Sequence, residues 1–107
     1  MKLVRFGDCG AEKPGLVDGD GCIRDISSVI SDWSYKTLNR ATLEQVASIS
    51  MADFPVVAAD VRLAAPVDRV GKIVGCALTY GKHAAEAGLE PPAEPMFMLT
   101  APSAING

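Results

Sequence analysis

The single histidine, His83, stands three positions before Glu86 in the stretch TYGKHAAEAG, residues 79–88. A step of three brings two side chains to one face of a helical turn, so imidazole and carboxylate can meet. A neutral imidazole is a competent base near neutral pH, and a carboxylate within hydrogen-bond reach fixes its tautomer and favours its protonated form. Tyr80, three residues before His83, can face the same space and offer a phenol hydrogen bond. The same spacing suits a solvated helical face, and Tyr80 equally suits a boundary aromatic with its hydroxyl in water, so the pattern alone leaves both readings open. Ser103, in TAPSAING, lacks the GxSxG setting of an activated nucleophile and reads as a loop hydroxyl. Asp18 and Asp20 lack the other ligand positions of an EF-hand, and VDGDG reads as a turn.

The elements that must position these groups follow from hydrophobic pattern and turn chemistry. Residues 2–6 form a short strand, and residues 13–17 and 22–26 flank VDGDG as the arms of a hairpin, which together make a small antiparallel sheet. Ser31 and Asp32 are placed to cap a short helix through Leu38, with Trp33 as its packing anchor. Thr42 is placed to cap a second helix over 43–49, with Gln45 completing a capping box. Residues 51–65 are small and apolar around Pro55 and read as a connection laid across a surface. Pro66 marks a junction. The apolar run KIVGCAL, 72–78, predicts a strand buried on both faces, placing His83 and Glu86 in the first turn after it. Gly88 stops that turn, EPPAEP at 90–95 is a stiff loop, and MFML at 96–99 and residues 104–105 read as strand pieces, the former as core. The expected class is α+β and β-rich.

The chain has 107 residues, 49% hydrophobic and 21% charged, which suits a modest packed core and not a disordered chain. Its net charge is −3 and its ten Lys and Arg are scattered, so no nucleic-acid footprint exists. No run reaches the ~18 apolar residues that cross a bilayer, and the N-terminus lacks a signal-peptide core. Cys9, Cys22 and Cys76 form no CxxC pair and read as reduced thiols. A soluble, cytoplasmic protein is expected.

The order of these segments resembles the N-terminal part of bacterial fumarylacetoacetate hydrolase family proteins, and the likeness spans essentially the whole chain. That family carries a G-L-N-Y-x-D-H-x-x-E type motif and then a P-x-x-F-x-K-x-x-S segment. Here they correspond to residues 77–86, ALTYGKHAAE, and 95–103, PMFMLTAPS. The resemblance implies a small N-terminal β domain over 1–66 and the start of a catalytic β roll over 67–107. It implies metal-dependent chemistry on 2-oxo or β-diketo acids by hydrolysis, decarboxylation, hydration or isomerisation, with Mg²⁺ or Mn²⁺ chelating the substrate oxygens. By carry-over, His83 and Glu86 match the proton-transfer dyad and Tyr80 a pocket tyrosine. Thr79, Lys82 and Thr100 stand where the family has Asn, Asp and Lys, which points to relaxed or altered function.

The family's metal ligands are a Glu-x-Glu pair and an Asp supplied further along the chain, and no Glu-x-Glu occurs here. The expected role is therefore a portion not catalytically complete alone, with no metal of its own. It would act by association with itself, as a homo-oligomer, or with a separately encoded catalytic chain, through the open strand edge near 96–99. The alternative is an active hydrolase, lyase or isomerase in which another chain supplies the carboxylates and this one gives His83 and Glu86.

Overall fold

Three short strands open the chain, β1 (Lys2–Phe6), β2 (Lys13–Val17) and β3 (Ile23–Asp25), paired antiparallel in the order β1-β2-β3 in a computed structural model that describes residues 1–107. The β2–β3 turn is the predicted aspartate-glycine turn. The Asp18 carboxylate accepts the N–H groups of Asp20 and Cys22, and Gly21 takes φ +85°, a conformation only glycine adopts without strain. Register pairs Leu3 with Leu16 and Arg5 with Pro14, so β2, the central strand, is buried over Pro14, Gly15 and Leu16.

One face of this sheet carries the core. Leu16, Ile26, Ile30, Trp33 and Val46 are buried together, with Leu3, Val29, Leu38, Leu43, Met51 and Phe54 packed around them. Helix α1 (Arg40–Ala47) contributes Val46. It begins earlier than the Thr42 cap predicts, because Asn39 Oδ1 accepts the Thr42 N–H at 3.0 Å and is itself the N-cap. The helix expected after Ser31 and Asp32 is absent. Ser34 donates its N–H to Thr37 Oγ1 at 2.9 Å, and Thr37 and Leu38 both donate to the Ser34 carbonyl, closing one turn. Side-chain hydroxyls here satisfy backbone donors that a helix would have used. Trp33 is nonetheless fully buried, its indole N–H donating to the Gly15 carbonyl.

The segment expected to be a surface connection completes the sheet at both edges. Asp25 donates to the Pro55 carbonyl and Val57 to that of Ile23, pairing residues 55–57 with β3. Gly7 donates to the Arg62 carbonyl and Ala64 to that of Arg5, pairing residues 62–64 with β1. Each outer strand thus carries one backbone bridge along its outer side, at Phe6 on β1 and at Arg24 on β3. The chain divides into two compact units, Met1–Val70 with Ile105–Gly107, and Gly71–Ala104.

The second unit holds a two-stranded antiparallel sheet of β4 (Ile73–Ala77) and β5 (Met96–Thr100), with helix α2 (Gly81–Glu86) between them in sequence. β4 is not buried on both faces as its apolar run predicts. Its residues alternate between half-buried and exposed, and every residue of β5, expected in the core, is exposed. Only two strands are present, so an apolar run with nothing stacked on it stays at the surface. Residues 104–105 form no strand, since Pro102–Ala104 make a 3-10 turn closed by Ala104 donating to Ala101. Both units together give a β-rich α+β architecture of two antiparallel sheets and short helices.

Candidate functional site

The residues with catalytic potential lie on the turn from β4 into α2. Leu78 there adopts φ +53°, left-handed for a residue with a β-carbon, which costs about 1 kcal/mol. Such backbone strain persists where surrounding structure dictates it. Tyr80 follows as the helix N-cap in an extended conformation with no side-chain cap bond, and Gly81 opens the helix. At the far end Gly88 takes φ +69°. Its N–H reaches the Ala85 carbonyl and that of Leu89 the Ala84 carbonyl, a paired closure that ends the helix where the sequence expects it.

His83 and Glu86 sit in the middle and at the end of α2, and both are exposed. No hydrogen bond or ion pair joins them, so the structure brings them to one helix without bonding them. Tyr80 is 78% exposed, and its ring lies in the open at the helix start. Of α2, only Ala84 is buried. Ser103 lies exposed in the 3-10 turn. A cavity of about 280 Å³ opens beside the strand-to-helix turn, lined by Cys76, Leu78 and Thr79 on one side and by Pro91, Pro92 and Pro95 on the other. It takes its walls from the residues just before Tyr80, and His83 and Glu86 do not line it.

No group of three or more His, Cys, Asp or Glu side chains is arranged to hold a metal ion. A hard divalent ion takes at least six oxygen donors, several of them carboxylates in Ca²⁺ sites and one or two with substrate oxygens for Mg²⁺. The chain's own residues therefore do not fit such an ion.

The strongest electrostatic feature lies in the first unit and was not anticipated from sequence. Arg5 is 7% exposed and grips Asp32 through two parallel hydrogen bonds of 2.8 Å from Nε and Nη2. Nη1 donates to the Ala65 carbonyl, and carboxylates of Glu12 and Asp68 stand 3.7 and 3.8 Å from Nη2. The hydrogen bonds to Asp32 raise the Arg5 pKa above its ordinary value, against the opposing effect of burial. An arginine between apolar neighbours in a strand was the available signal, since it must either face water or find a buried partner. Beside this network a polar cleft of about 350 Å³ is lined by Ser31, Asp32, Ser34, Lys36, Asp68 and Arg69. Arg24 donates a single hydrogen bond from Nε to Asp18 Oδ2 at 2.8 Å and one from Nη1 to the Phe54 carbonyl, and its guanidinium holds the Asp18 carboxyl below its usual range. All three cysteines are free and exposed. No helix is long and apolar enough to cross a membrane.

Comparison with known proteins places this chain beside longer bacterial proteins. It is 44% identical over all 107 residues to a protein of Burkholderia ambifaria named "Putative hydrolase", and 44% identical to one of the same description from Burkholderia lata. A further one, from Burkholderia multivorans, is 43% identical over the same length. In each case the chain spans 38% of the relative's length. No family model matches.

Proposed function

We propose that the chain is the N-terminal part of a fumarylacetoacetate hydrolase family protein, not catalytically complete alone, working in association with a catalytic portion. The observation that carries this is the match to named hydrolases over every residue of the chain and only 38% of theirs. The ordered motifs at 77–86 and 95–103 support the finer family reading. In the complete enzyme the substrate is a 2-oxo or β-diketo acid, and Mg²⁺ or Mn²⁺ belongs to carboxylates outside this chain. His83 takes a proton from water, the water oxygen adds to the substrate carbonyl, and Glu86 steadies the imidazolium that results. When the carbon–carbon bond breaks, the departing carbon takes a proton back. Tyr80 offers its phenol to the substrate. Exposure of all three side chains in the second unit supports a site completed by polypeptide from elsewhere.

The test compares the 107-residue chain with the same chain joined to the remainder of the Burkholderia ambifaria relative, assayed with acylpyruvates and oxaloacetate in the presence of Mg²⁺. The expected result is no turnover by the chain alone and turnover by the joined protein, with His83→Ala slowing the latter by about 10²–10⁴. Equal rates for His83→Ala and the parent remove the dyad from the mechanism, and turnover by the chain alone overturns the reading that it is incomplete.

A further inference from the structure

In an antiparallel pair, directly opposed residues point to the same face, and successive residues alternate between faces. The register Val74↔Leu99 and Cys76↔Phe97 therefore collects Val74, Cys76, Phe97 and Leu99 on one side of the β4–β5 sheet. All four are exposed, Phe97 at 70% and Leu99 at 79%. No charged residue interrupts either strand. β5, MFMLT, also lacks the Lys or Pro with which natural edge strands repel a neighbour. In the first unit each outer strand carries a backbone bridge to a neighbouring segment, at Arg24 to Val56 and at Phe6 to Leu63.

Contiguous apolar surface of this kind marks a packing or interaction face. Its occupant must be apolar and uncharged, because a charge pressed onto Phe97 and Leu99 would lose its water without gaining a partner. The relatives narrow the choice. Their match runs through β4 and β5, and the whole 107-residue match covers 38% of their length. A covering layer on the same polypeptide acts at an effective concentration near the millimolar range, which a second molecule must outcompete. A second copy of this chain also brings its own net charge of −3.

We propose that the face formed by Val74, Cys76, Phe97 and Leu99 is an internal packing surface of the complete hydrolase, covered by an apolar layer from the polypeptide that makes up the rest of the relatives' length. This rests on the reading that the chain is one portion of a longer hydrolase. Cys76, opposite Phe97, is part of the face and reports on its cover, while Cys9 and Cys22, exposed in the first unit, serve as references within the same molecule.

The experiment follows maleimide labelling of each cysteine in the 107-residue chain and in the chain joined to the remainder of the Burkholderia ambifaria relative. Cys76 is expected to label as fast as Cys9 and Cys22 in the chain alone and at least about tenfold more slowly in the joined protein, with the references unchanged. Equal labelling of Cys76 in both overturns the proposal. Protection that grows with concentration in the chain alone also overturns it, and assigns the face to a second copy. Should the joined protein fail to fold, the relative itself carries the test, with Asp placed at the position aligned with Phe97. Its melting temperature is expected to fall by about 10 °C or more, and an unchanged value overturns the proposal. A joined protein that protects Cys76 but turns over no 2-oxo acid keeps this interface and removes the chemistry. One that turns over substrate with Cys76 fully reactive does the reverse.

Discussion

Replacing Asp32 by Ala leaves the buried Arg5 guanidinium without the carboxylate that accepts two of its hydrogen bonds at 2.8 Å. The side chain of Arg5 is 8% exposed, so water cannot simply take the place of Asp32. Removing one partner of a buried pair costs about 3–5 kcal/mol, because the remaining charge stays desolvated. Here Glu12 and Asp68, at 3.7 and 3.8 Å, and the Ala65 carbonyl keep part of the compensation. The lower end, about 3 kcal/mol, is therefore expected. With a urea slope of about 1–2 kcal/mol/M, that moves the unfolding midpoint by about 2 M. In a thermal melt it corresponds to a fall of about 12–20 °C. The double variant Arg5→Met with Asp32→Leu removes both desolvation costs and should recover most of the loss, leaving a deficit of about 1 kcal/mol. If Asp32→Ala unfolds within about 0.5 kcal/mol of the parent, or if the double variant loses the sum of the two single ones, the pair is not the buried, coupled unit described.

Three further outcomes follow from the same geometry. Asn39→Ala removes the acceptor for the Thr42 N–H and should lower stability by about 1 kcal/mol in urea unfolding. Gly15→Ala places a β-carbon 3.0 Å from Phe6 Cδ1 and from Ile23 Cγ2, and should cost about 1–3 kcal/mol in the same measurement. The Asp18 carboxyl is held below its ordinary pKa, first by the Arg24 guanidinium and then by the N–H groups of Cys22 and Asp20. A depressed folded-state pKa contributes stability that is fully present above the unfolded value, about 3.9, and is lost as pH falls through the folded one. Melting temperature should thus hold steady from neutrality down to about pH 5 and drop below about pH 4, with a shallower drop in Asp18→Asn.

Local signals carried the first sheet and little of what covers it. The alternation in KLVRF, the VDGDG turn and the stop at Gly88 are properties of a few adjacent residues, and these elements appear where their residue types require. Residues 55–57 and 62–64 have no strand pattern of their own. They pair because β1 and β3 present unfilled backbone donors and acceptors, a condition set by parts of the chain far away in sequence. The helix expected after Asp32 lost to a local competitor, the Ser34–Thr37 hydroxyl bonds, which a capping rule does not weigh.

The candidate site divides in the same way. That His83, Glu86 and Tyr80 share one strand-to-helix connection follows from spacing, because the helical step is fixed by backbone geometry. Their exposure does not follow from it, nor does the open face of Phe97 and Leu99, since burial depends on what else is stacked against a strand. KIVGCAL reads as buried because a continuous apolar run ordinarily has a layer packed on each face, and here β4 has β5 beside it in the sheet while Val74 and Cys76 stay exposed. The Arg5–Asp32 grip joins positions 27 residues apart. Residue types and short-range steps thus set which elements form, whereas pairing partners, burial and long-range charge contacts arise only when the chain closes on itself, because they are energies between surfaces that no local pattern encodes.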